Sequence, residues 1–168
     1  MFPGRSRGGR APTNRVKPRL LAASPQAQPI RRGPRSLGRL PSPQASATAY
    51  SRLCGSTITI DLELKEGRVS DYAQELKACA LGQASASIMA RNILGSSPQE
   101  LRELREAMRK MLKENGPPPG GRWADLAVLE PVRDYKARHA STLLAFDAVV
   151  DALGKIEASP LAGTDADA

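Results

Sequence analysis

The chain has 168 residues, enough for one hydrophobic core, and carries 25 Lys and Arg against 17 Asp and Glu, a formal net charge of +8. The excess is local: ten of the basic residues and none of the acidic ones precede Pro41, which leaves 15 basic and 17 acidic residues for the remainder, a net of −2. The alkaline isoelectric point therefore describes a tail and gives no reason to read the folded part as a binder of polyanions.

In chain order, the first segment holds Pro3, Pro12, Pro18, Pro25, Pro29 and Pro34 among Gly, Ser and Arg. Proline interrupts helices, and so few apolar side chains cannot offset the entropy of ordering, so residues 1–36 are expected to be a disordered basic tail. Clustered Arg neutralises phosphates, but Phe2 is the only aromatic residue there to stack a base, which argues against nucleic acid as a partner. An Arg-rich, acid-free start also has the composition of an organellar import signal. The prolines spoil the amphipathic helix that such signals use, so organellar import is disfavoured. No apolar run approaches the roughly twenty residues that span a bilayer, so no membrane is expected and a bacterial cytoplasmic location is. In that reducing setting Cys54 and Cys79 are free thiols, either inert core residues or ligands, rather than a disulfide.

The expected domain occupies residues 37–158, with 159–168 as a flexible C-terminal tail. From Thr57 to Leu64 apolar and polar residues alternate with period two, the mark of a half-buried strand. Lys65-Glu66-Gly67-Arg68 is a turn signal, and Val69 to about Ala78 forms the second strand of a hairpin. A two-residue turn pairs Lys65 with Arg68 and Leu64 with Val69, and an unbroken ladder then sets Cys54 opposite Cys79. Tyr72, Leu76 and Ala78 have the opposite parity to Val69, however. A bulge near Asp71 repairs the pattern and leaves the cysteines near each other without direct opposition.

Ala80 to Leu94 has helical spacing and ends at Gly95, so Cys79 sits at a helix N-terminus, where the dipole and free N–H groups favour a thiolate. Ser97-Pro98-Gln99-Glu100 opens a second helix with the apolar stripe Leu101, Leu104, Met108, Met111 and Leu112, closed at Asn115-Gly116. After a Pro-Gly loop, Trp123, Leu126 and Leu129 anchor the chain to the core. A last helix runs from about Lys136 to Glu157 and carries the sole histidine, His139, near its start. The fold class is α+β: a small antiparallel sheet built on the hairpin 54–79 against several helices. Nucleophile, base and orienting group do not recur at motif spacing, and an enzyme is not expected.

Three stretches resemble the cysteine regions of the NifU/IscU/SufU family of iron-sulfur cluster assembly scaffolds: Leu53-Cys54-Gly55-Ser56-Thr57, Lys77 to Ile88, and Val132 to Leu144. The family carries Cys-Gly-Asp at a strand, a second Cys before an Ala/Ser-rich helix, and a third Cys at the start of the last helix. Here Ser56 stands at the position of the Asp, and Ser141 or Ala140 at that of the third Cys. The resemblance implies a scaffold or carrier that binds iron and a transient iron-sulfur cluster through Cys54 and Cys79. His139 is a candidate accessory ligand and Ser141 a weak one, and zinc is an alternative metal. It also implies a cysteine desulfurase and recipient apo-proteins as partners, and a cluster-bridged homodimer is compatible with two cysteines per chain. The alternative is a degenerate member that binds zinc or no metal and acts as a regulatory or docking protein. Deleting Met1 to Arg35 should leave the thermal unfolding midpoint nearly unchanged; a loss of several degrees would show that the segment packs on the domain.

Overall fold

The structure, a computed structural model, describes residues 37–159; the tails expected at 1–36 and 159–168 lie, Ser159 apart, outside the described residues. The alternating segment forms strand β2 (Thr57–Lys65) and is followed by β3 (Arg68–Lys77). Glu66 and Gly67 make the turn with φ of 53° and 71°, the left-handed pair that a two-residue hairpin needs. Leu64 pairs with Val69 and Lys65 with Arg68, as expected from the turn. The ladder then slips at Glu63/Leu64, so that Glu63 pairs with Asp71 and Ser70 is the extra residue. Beyond the slip Tyr72, Gln74 and Leu76 stand beside Leu62, Ile60 and Ile58 on the core face.

A further strand precedes the hairpin. β1 (Ala45–Tyr50) pairs antiparallel with β2, giving the order β1-β2-β3. Its outer face is partly covered: Asp61 of β2 is fully buried because the segment before β1 lies across it. Arg39 reaches the carboxylate with Nε at 2.7 Å and a terminal guanidinium nitrogen at 2.9 Å, the Leu40 N–H donates at 2.9 Å and the Ser46 hydroxyl at 2.5 Å. Burial alone would raise the pKa of Asp61. The hydrogen bonds from Arg39, Ser46 and Leu40 outweigh it and hold the group below the usual carboxylate value.

The helices cover the other face. α1 (Ala80–Asn92) starts at Cys79, and α2 (Pro98–Lys113) begins with the Ser97 hydroxyl accepting from the Glu100 N–H at 3.2 Å. Its five stripe residues are all buried. The stretch after the Pro-Gly loop, expected to anchor the chain, is a 3-10 segment, Gly121–Asp134, which buries Trp123, Leu126 and Leu129. α3 (Lys136–Ala158) crosses β1 and β2 and packs against α1 and α2, so its Leu144, Phe146, Val149 and Leu153 lie at the centre of the core. Each such side chain contributes about 1.5–3 kcal/mol by leaving water. Among the described residues no helix is long and apolar enough to cross a membrane.

α1 and α3 approach closely at Gly82. A Cβ there would lie 2.9 Å from Ala78 Cβ and 3.3 Å from the Ser141 carbonyl oxygen. Neither neighbour is the far end of a flexible side chain, so Gly82→Ala should force the helices apart and cost about 1–3 kcal/mol, read as a lowered midpoint in thermal unfolding.

Candidate metal centre

β1 ends at Tyr50 and the chain returns to β2 through a short loop whose ends are tied by backbone bonds. The Ser51 N–H donates to the Ser56 carbonyl at 2.8 Å, and the Gly55 N–H to the Ser51 carbonyl at 2.9 Å. Gly55 has φ +68°, a conformation strained for any residue with a side chain, and it lets the loop fold back directly after Cys54. Ser51 and Ser56 are buried at the two ends, while Arg52, Leu53, Cys54 and Gly55 are exposed between them.

Ser56 joins the two cysteine regions. Its hydroxyl accepts from Cys54 Sγ at 3.0 Å and from the Cys79 N–H at 3.3 Å. When Cys54 ionises, the same hydroxyl can turn and donate to the sulfur. Ser51 Oγ is buried without a hydrogen-bond partner in the structure, and its O–H is the strongest influence lowering the Cys54 pKa. The Ser56 hydroxyl and backbone come next, burial opposes them, and the Ser141 hydroxyl adds a smaller pull; the result is a thiol lowered from 9.0 to about 7.

Cys79 occupies the N-cap of α1 with φ −65° and ψ 169° and makes no side-chain capping bond. The Gly82 backbone N–H is the main cause of its lowered pKa. Burial opposes this, and the Ser141 hydroxyl, the Leu81 N–H and the Ser56 hydroxyl assist. The expectation of a thiolate at a helix N-terminus thus has a specific donor in Gly82. Ser141 is fully buried in α3 and donates to the Arg138 carbonyl at 3.0 Å while lying close enough to influence both thiols. Cys54 and Cys79 therefore share the same two hydroxyl neighbours, although neither is in the ladder, which ends at Thr57 and Lys77.

His139 is placed elsewhere. It is 7 % exposed, and its Nε2 lies 3.1 Å from the Val132 carbonyl oxygen and 3.0 Å from that of Arg133. Carbonyls only accept, so Nε2 carries a proton and is committed to the junction between the 3-10 segment and α3. Two residues along a helix turn the side chain by about 200°, which separates His139 from the face bearing Ser141. The ring that the resemblance offered as an accessory ligand thus has its Nε2 held by two backbone carbonyls in this arrangement. Sequence reasoning missed Ser51 altogether, and no motif marks it. Among the described residues no three His, Cys, Asp or Glu side chains converge on a point that could hold a metal ion, so the centre offers two thiols and neutral hydroxyls.

Two ionisable thiols at the end of a three-stranded sheet capped by helices define a thiol-bearing α+β domain. The family model described as the NifU-like N terminal domain matches residues 26–142. The chain is 34% identical over 104 residues to an iron-sulfur cluster assembly scaffold protein IscU of Thermotoga maritima, covering 61% of this chain and 72% of that protein. It is 24% identical over 100 residues to IscU of Streptococcus pyogenes serotype M1, covering 60% and 63% of the two chains. The crystal structure of a NifU-like protein (N-terminal) from Brucella abortus superposes with a TM-score of 0.72 at 60% identity, over 74% of this chain and 86% of that one. A putative SufU scaffold from Fervidobacterium islandicum shares the fold, with a TM-score of 0.64 at 22% identity over 69% and 85% of the two chains. This chain belongs to the NifU-like N-terminal domain family, the family of iron-sulfur cluster assembly scaffolds.

Only the thiolate is alkylated at an appreciable rate. Because Cys54 ionises more readily than a free thiol, its iodoacetamide rate should rise with pH to half its plateau at about 7, against the 9.0 of the unperturbed group. Peptide mass spectrometry of the alkylated protein reads this site separately from Cys79, and a midpoint near the unperturbed value would exclude the hydroxyl effect.

Proposed function

We propose that this chain is a scaffold or carrier for nascent iron-sulfur clusters, the cluster being its cargo, with Cys54 and Cys79 as the thiolate ligands. The observation that carries the reading is the pair of buried hydroxyls, Ser56 and Ser141, set against both thiols at the positions where the family has its remaining ligands. The two thiols bind iron in the ionised form; the pKa of each is lowered, and that of Cys54, at about 7, makes the thiolate accessible near neutral pH. Ser56 can turn to donate to an ionised Cys54, Ser51 lies beside that sulfur, and Ser141, its proton given to the Arg138 carbonyl, stands beside both thiols. A set short of thiolates holds cargo weakly, which suits a protein that passes it on. Sulfur would come from a cysteine desulfurase and the cluster would go to recipient apo-proteins, as befits the family; no substrate turnover is assigned, and the reducing cytoplasm is the fitting compartment.

The replacement of a carboxylate and a thiol by Ser56 and Ser141 favours one other reading, a docking or regulatory member holding zinc or no metal. Anaerobic reconstitution with ferrous iron and sulfide, followed by absorption spectroscopy and metal analysis, separates the two. The scaffold reading expects visible charge-transfer absorption with iron and sulfide in equal amounts. Cys54→Ser or Cys79→Ser should abolish it, whereas His139→Ala should keep the colour while losing about 0.5–1.5 kcal/mol of fold stability from its carbonyl bonds. Zinc alone, or no metal, would select the other reading.

A further inference from the structure

We propose that the cleft where α2, the 3-10 segment and α3 meet binds a free α-amino acid with an apolar side chain. Neither cysteine lines this cleft, and the residues that do are ones the scaffold chemistry leaves unused.

The cleft has a volume of about 870 Å³. Its wall on the α2 side is fixed. Asn115 takes the left-handed conformation, φ +54°, and the Gly116 N–H donates to the Lys110 carbonyl at 3.0 Å, which turns the end of the helix back on itself.

His139 is the group that calls for a ligand. The ring is 7% exposed, lines the cleft, and has its Nε2–H committed to the Val132 and Arg133 carbonyls. Its Nδ1 makes no hydrogen bond among the described residues and is not sealed from solvent. In the neutral ring a proton on Nε2 leaves a lone pair on Nδ1, which accepts from an N–H or O–H. A largely buried acceptor without a donor is stabilised by a ligand that brings one.

The charges on the cleft say which donor. Arg133 is paired with Glu130 and Asp147 with Arg105, whereas Lys113, Lys136 and Asp134 have no ion pair among the described residues. The two lysines match a carboxylate. The start of α3 adds to them, because Tyr135 supplies no capping side chain and the first turn holds no acid, so the positive end of the helix dipole is uncompensated there. The Asp134 carboxylate and the Nδ1 lone pair match an ammonium group, which carries three donors. Leu112 and Leu143, 2% and 6% exposed, supply a hydrocarbon floor for a side chain. Carboxylate, ammonium and apolar side chain together are an α-amino acid. A phosphate ester would face Asp134 with like charge, and a simple amine would leave both lysines unmatched.

Titration of the full-length, metal-free chain with L-leucine, followed by calorimetry and amide NMR, tests this. L-Leucine should bind and shift the amide signals of Asn115, Lys136 and His139 while leaving those of Cys54 and Cys79 in place. N-Acetyl-L-leucine, L-leucinamide and glycine each lack one of the three groups and should bind at least about tenfold more weakly. Lys113→Gln and Asp134→Asn change exposed side chains, and each should weaken L-leucine about tenfold with an unaltered unfolding midpoint. Absence of L-leucine binding at millimolar concentration would overturn the proposal, as would inorganic phosphate binding more tightly than L-leucine. Equal binding of N-acetyl-L-leucine would overturn the match to an ammonium group, and unchanged affinity in both variants would overturn the location. None of these outcomes bears on the scaffold reading, which iron and sulfide uptake tests separately.

Discussion

Strand β3 has one residue more than β2 can pair, and the thiol end of the domain depends on where that residue is placed. With Ser70 bulged opposite the Glu63/Leu64 step, the side chains after it change faces, and Tyr72, Gln74 and Leu76 turn inward. Without it Val69 would keep its core position while Tyr72, the largest fully buried side chain of the strand, pointed to solvent. The same slip sets the end of β3 at Lys77, two residues before the cap of α1, and so decides which face of the helix entrance meets Ser56. Tyr72 is held in its new position by its hydroxyl donating to Gln74 Oε1 at 2.7 Å, which satisfies both groups within the apolar layer.

A second constraint comes from α3. Its length allows one element to back β1, β2, α1 and α2 at once, and Ser141 and Thr142 are buried near its start with both hydroxyls donating to the Arg138 carbonyl, at 3.0 and 2.9 Å. Those bonds spare the core an unpaired polar group and leave Ser141 beside the sulfurs with its lone pairs free. The hydroxyl is thus a structural member of the helix as well as a wall of the centre.

The features legible in the sequence were the ones whose cause is local. The alternation in Thr57–Leu64, the Gly67 turn, the Ser97-Pro98 helix start and the apolar stripe of α2 each carry their own periodicity or capping chemistry. β1 was not read because Ala45-Ser46-Ala47-Thr48-Ala49-Tyr50 alternates only small residues, and it becomes a strand by pairing with β2 rather than through its own pattern. Asp61 sat on the expected polar face of β2, but its burial depends on Arg39 and Leu40 folding back from a different part of the chain. At the centre, the two cysteines and Ser141 were marked by residue type and family resemblance. Ser51 was not, because an isolated serine says nothing until the loop brings it beside Cys54. For His139 the position along the helix was right and its direction was set by two carbonyls of the preceding segment, which no spacing rule contains.

The contact at Gly82 makes the two halves of the centre mechanically unlike. On the Cys79 side, α1 closes on the Ser141 carbonyl of α3 at Gly82, where there is no room for a Cβ. On the Cys54 side, four exposed residues are held by two backbone hydrogen bonds at the base of the loop. One sulfur is thus mounted on a stiff support and the other on a compliant one. Of the two sulfurs, that of Cys54 is therefore the one whose support yields first to a displacing force.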